Sequence, residues 1–236
     1  MAMGYATTDE AERGNHVGAL VIEKAYMHPQ HYLPGTYKKH WIFLHHTAGG
    51  ANPHNTIHGW TTDEFRSVAT EFLLGGQHVN GRSSAYDGLL VQALPTGCSG
   101  HHLGIDSRPL QRNSVAIELC NFGWVKDGRT YTGTAVDPSQ TVTLSKPFRG
   151  HSTWHRYSDR QIALLRDWLL MIANRDTIDI RSGLPAMIKR HGALAFHFCD
   201  IAMCEATQGL WSHTNVRADK FDLFPQPELM DMLTAL

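Results

Sequence analysis

An excess of charge of either sign is the first thing this chain lacks: Lys plus Arg number 21 and Asp plus Glu 22 in 236 residues. Such a surface has no field to draw a polyanion, so neither a nucleic acid nor an anionic membrane is expected as partner. Cysteine is sparse and scattered, with Cys98, Cys120, Cys199 and Cys204 forming no CxxC pair. The spacing excludes the dense disulfide framework of a small secreted domain and predicts reduced, buried thiols. Long apolar runs are missing as well. The longest, Ile162 to Ala173, is broken by Arg166-Asp167 and falls far short of a bilayer span. Met1 to Glu10 have neither the basic nor the apolar region of a secretory signal. The chain is therefore expected to be cytoplasmic when made and to reach any external target by another route.

Histidine is what the chain has in excess, with 16 residues, and 42% of the sequence is hydrophobic. That supply of apolar residues supports one large core, while the His count raises metal binding as a possibility and multiplies the bystanders.

Residues 1–37 are polar and mixed, with Pro29 and Pro34, and read as an irregular lead-in to a single domain over 38–236. Trp41 to Leu44 form a buried strand. Asn52-Pro53 opens a short helical turn, and the capping box Thr61 to Glu64 predicts a helix carrying Phe65, Val68, Ala69 and Phe72. A strand or hairpin is expected around Gln77 to Asn80 and Leu89 to Leu94, and Ser114 to Leu119 form the next strand. About 124–156 the sequence turns Thr-rich and is punctuated by Asp127-Gly128, Gly133, Pro138 and Gly150, which predicts a hairpin-bearing insertion. Ser158 to Gln161 cap a helix with Ile162, Leu165, Leu169 and Ile172 on its buried stripe. Further helices are expected over Gly183 to Lys189 and from Pro227.

Two distant segments, Trp41 to Gly50 and Trp211 to Asp222, together offer a His, a His and an Asp. Three protein ligands and an open fourth position are the usual catalytic zinc set. His45 ends a strand, where an imidazole is held rigidly at the sheet edge, although a core or capping His reads equally well from this motif alone. His46 points to the opposite face of the same strand. His213 and Asp222 sit where a loop can bring a carboxylate back to an imidazole, a pairing that is weak by itself. Glu118, inside Val115 to Leu119, is either a buried carboxylate with a raised pKa or an outward-facing strand residue. The pairs His54/His58 and His151/His155 have i, i+4 spacing but lack HExxH and read as exposed polar residues.

The order of these segments resembles the zinc-dependent N-acetylmuramoyl-L-alanine amidase and peptidoglycan recognition protein family, over roughly 38–228. The matching stretches are His45 to Gly49, Asp87-Gly88 with Leu89 to Pro95, His102 to Gly104, Ser114 to Leu119, Asn121 to Gly123, Tyr157 to Ile162, and His213 with Lys220 to Asp222. The resemblance implies an α/β fold, a mixed central sheet flanked by helices on both faces, with zinc at one edge. It implies ligands His45, His213 and Asp222, general base Glu118, and Lys220 beside the developing oxyanion. His46, His102 and Asn121 fall in the matched stretches and are expected to contact substrate. The implied substrate is peptidoglycan or a muropeptide, cut between N-acetylmuramic acid and L-alanine. Two alternatives stand beside it: a non-catalytic muropeptide-binding module, and an amidase of this fold acting on an amide outside the cell wall.

Overall fold

The computed structural model describes residues 20–62 and 68–236. Its frame is a six-stranded sheet of β1 (Ile22–Lys24), β2 (Trp41–His46), β3 (Phe72–Leu74), β4 (Leu90–Gln92), β5 (Ser114–Leu119) and β10 (Gly209–Ser212). The spatial order is β1-β4-β3-β5-β2-β10. Strands β10, β2, β5 and β3 run parallel, while β4 opposes β3. All six residues of β2 and of β5 are buried, as expected for central parallel strands covered on both sides.

Alternation along β3 shows the two layers. Phe72 and Leu74 join the larger core, where the Phe72 ring lies 5.4 Å from that of Trp168. Leu73 turns the other way, into a second cluster with Ala93 and Leu94 that Ile57 and Trp60 pack against. The first face is covered by α3 (Asp159–Asp176) and the second by α1 (Pro53–Thr62). Ser158 caps α3 by accepting the Gln161 N–H, and Thr177 ends it in a left-handed conformation. Ile162, Leu165, Leu169 and Ile172 are buried as their spacing requires, at about 1.5–3 kcal/mol of burial each as an upper bound. The remaining helices are α2 (Arg108–Arg112), α4 (Leu184–His191), α5 (Ile201–Ala206) and α6 (Pro227–Thr234). No helix among the described residues is long and apolar enough to cross a membrane.

The insertion carries two antiparallel hairpins, β6 (Val125–Lys126) with β7 (Arg129–Thr130), and β8 (Thr141–Phe148) with β9 (His151–His155). Each turns through two residues of positive φ, Asp127-Gly128 and Arg149-Gly150. His151 and His155 therefore lie on a strand.

Several expectations are corrected. Residues 22–24, read as irregular, pair with β4 as an edge strand of the main sheet. Phe72, expected on a helix, starts β3, because its neighbours in space, β4 and β5, offer it a ladder on both sides. Thr61 and Thr62 lie within α1 and do not precede a helix start; Asp63, Glu64 and Phe65 lie outside the described residues. Gln77 to Asn80 form a turn and no strand. Three cysteines are buried and free, but Cys199 is exposed.

Candidate metal centre

The parallel strands β2 and β10 bring their carboxyl ends together, the place where open α/β sheets present ligand sites. Ser212 pairs with Leu44, so His213, the residue after β10, sits level with His45 at the end of β2. A tight turn follows, held by Asn215, whose Oδ1 accepts from the Ser212 N–H (3.1 Å) and hydroxyl (2.8 Å). Asn215 Nδ2 donates to the carbonyls of Ala195 and Phe198, so the turn is anchored to the body. The loop then returns Asp222, with the Thr214 N–H donating to the Asp222 carbonyl at 3.1 Å. Arg217 staples this loop to the opposite wall, donating to the Gly104 carbonyl at 2.9 Å and pairing with Asp219 at 2.6 Å. Gly104 adopts φ +62°, and a Cβ there would meet the Arg217 guanidinium at 2.6 Å.

His45, His213 and Asp222 converge. His45 Nδ1 lies 3.0 Å from His213 Nδ1 and 3.2 Å from Asp222 Oδ2, and His213 Nδ1 lies 2.9 Å from the same oxygen. Tetrahedral zinc with bonds of about 2.0–2.1 Å separates its ligand atoms by about 3.3 Å, close to this spacing. The donor chemistry fits a cation too. His213 Nε2 faces the Leu103 carbonyl at 3.0 Å, which fixes its proton there and turns the Nδ1 lone pair toward the Asp222 carboxylate. Two acceptors at that distance call for a positive charge between them. Burial and the neighbouring His213 hold the His45 imidazole down at about 4, so it stays neutral.

Glu118 is the Cα partner of His45, and neighbours in a parallel ladder share a face. It is buried, and its Oε2 has no hydrogen-bond partner. Burial, with the charge of Asp222 added and Lys220 opposing, lifts its carboxyl well above the usual range.

These groups open into a cavity of about 1180 Å³, lined near the centre by Glu118, His213, Asp222 and Lys220. His46 reaches the lining from the opposite face, with Nδ1 2.8 Å from the Tyr157 hydroxyl. His102 also lines it, with Nδ1 3.0 Å from His45 Nε2. Asn121 does not: it is fully buried, donating to the His155 carbonyl and accepting the Gly123 N–H, so it braces the chain after β5. Outside the centre, His54 in α1 lies 3.2 Å from Glu23.

The far wall was not foreseen from the sequence. Arg108, Gln111 and Arg112 line it from α2, whose start carried an unread signal, the Ser107 cap followed by a proline in the first turn.

The chain matches no protein-family model and no curated protein. Among solved structures it is similar to the catalytic domain of XlyA, with TM-score 0.50 and 14% identity, covering 91% of this chain and 97% of that one. It is also similar to the N-acetylmuramoyl-L-alanine amidase LysC from Clostridium intestinale, with TM-score 0.47 and 11% identity, covering 91% and 95%. A third is the amidase AmiD from E. coli in complex with a muramyl peptide, with TM-score 0.41 and 19% identity, covering 62% and 48%. At these identities the likeness to the XlyA domain shows the fold.

Proposed function

We propose that this protein is a zinc hydrolase that cleaves the amide between N-acetylmuramic acid and L-alanine in peptidoglycan. The observation that carries the reading is the convergence of His45 Nδ1, His213 Nδ1 and Asp222 Oδ2 beside an unpartnered buried carboxylate, Glu118, in one open cavity. The amidase-like stretches of the sequence contribute these same residues, and a fold shared with a catalytic domain supports an enzyme over a purely binding module.

His45, His213 and Asp222 would hold the metal. Bound there, zinc supplies a Lewis-acid charge that polarises an amide carbonyl and acidifies water. Glu118, with its raised pKa and its side chain on the face of His45, takes a proton from the attacking water. It then returns that proton to the departing L-alanine nitrogen, which cannot leave as an anion. Lys220, on the cavity wall, places a positive charge where the carbonyl oxygen becomes negative. His46 lines the same space and is proposed to touch substrate; Asn121 acts from behind, by holding the strand exit.

Release of L-alanine amino termini from purified peptidoglycan tests the reading. Activity should vanish with chelator and return with zinc. Release that is indifferent to chelator would remove the metal from the mechanism, and no release under either condition would leave a binding module or an amidase acting on an amide outside the cell wall.

A further inference from the structure

Neither nitrogen of His102 faces the cavity unengaged, although its sequence context pointed to substrate contact. Nε2 lies 2.8 Å from Ser114 Oγ, and Nδ1 lies 3.0 Å from His45 Nε2. Ser114 Oγ in turn lies 2.5 Å from the Leu110 carbonyl. We propose that His102 is a positioning residue that fixes the proton of His45 on Nε2 and keeps the His45 Nδ1 lone pair turned toward the metal position.

The direction of the chain follows from counting hydrogens. A carbonyl has none to give, so the single Ser114 hydroxyl hydrogen goes to Leu110. Ser114 Oγ can then only accept, which places a proton on His102 Nε2. His102 is buried, and its hydrogen-bond partners are an imidazole and a hydroxyl, with no carboxylate to support a second proton. Its Nδ1 is therefore an acceptor, and His45 Nε2 must donate to it. What remains at His45 Nδ1 is a lone pair, 3.2 Å from Asp222 Oδ2.

His213 receives the same treatment one residue later, from the Leu103 carbonyl. One stretch, His102-Leu103, thus orients both imidazoles of the site, by a side chain in one case and by backbone in the other. Partners of this kind set the tautomer and ring angle of metal-binding His, and their loss typically weakens metal binding about 10- to 100-fold.

This inference rests on the zinc reading above, and two measurements keep the two apart. The first is zinc affinity by chelator competition in the unmodified protein and in His102→Leu, His102→Asn and Ser114→Ala. The second is the tautomer of His45 in metal-free protein, read from long-range nitrogen–proton NMR of labelled histidines. His102→Leu should weaken zinc binding about 10- to 100-fold and leave His45 a mixture of tautomers. His102→Asn, with Oδ1 in place of Nδ1, should recover most of the affinity. Ser114→Ala, one link further out, should produce a smaller loss with the same tautomer mixing, and it carries the test if His102→Leu does not fold. Affinity and tautomer unchanged in His102→Leu or in Ser114→Ala, or no recovery with Asn, would overturn the relay. So would a proton found on His45 Nδ1 in the unmodified protein. Failure of that protein to bind zinc would overturn the metal reading, and the tautomer measurement would still decide the relay.

Discussion

Two buried carboxylates, one on β5 and one at the entrance to its neighbour β3, have opposite surroundings. Glu71, just before β3, is 3% exposed and fully engaged: Arg175 Nη1 lies at 2.9 Å and Gln92 Nε2 at 3.3 Å. Asp176 holds the other side of Arg175 at 2.7 Å, and Lys39, pushed down to about 8 by burial, donates nearby to the carbonyls of Cys98 and Arg112. Glu118 on β5 is 8% exposed, keeps one oxygen without a partner, and borders the cavity. Burial raises both carboxyls, but only the one beside Arg175 has a guanidinium pulling it back. The contrast separates a charge that the fold satisfies from one that it leaves unmatched beside the cavity. An unpartnered atom is not enough by itself, since His155 Nε2 is also buried without a partner and lines no part of the cavity.

Exchanging each carboxylate for an amide should break the pair in opposite ways. Glu118→Gln should lower amide hydrolysis about 10²–10⁴-fold, the usual contribution of a general base, with stability unchanged or higher. Peptidoglycan hydrolysis and thermal denaturation check this together; activity near that of the unmodified protein would remove Glu118 from the chemistry. Glu71→Gln should do the reverse, costing about 1–3 kcal/mol by leaving Arg175 with Asp176 as its one remaining carboxylate, as measured by urea unfolding, with zinc affinity intact. Its side of the comparison fails if the variant is as stable as the parent.

The smallest effect sharpens the comparison with a buried orphan outside the cavity. Burial lowers the His155 imidazole to about 4 from an ordinary 6.5, so the folded state resists its protonation. The stability it contributes is present above pH 6.5 and is lost as the pH falls from 6.5 through 4. His155→Phe should flatten that acid limb by on the order of 2 kcal/mol between pH 7 and 4, read from denaturant midpoints. An unchanged limb would show that other buried histidines carry it.

How much of this was legible depended on whether local pattern or distant pairing decided an element. β2, β5 and α3 combine long apolar patterns with clear caps, and they lie where the sequence places them. β1 and β3 span three residues each, too short for a period to show, and exist because β4 and β5 pair with them. Of the proposed site, His45, His213, Asp222, Glu118 and Lys220 come together, while Asn121 turns inward. The His102 contacts could not have been read, because they depend on Ser114 and Leu110 arriving from another strand and helix.

The register of β2 against β5 has a practical consequence. His45 and Glu118 are directly opposed residues of one ladder, so backbone hydrogen bonds, and no loop, set the offset between the proposed ligand and the proposed base. The connections on either side can be lengthened, recut or replaced from other proteins while that offset stays constant. Engineering of substrate range can therefore be confined to the cavity walls, with the reactive pair treated as a fixed scale.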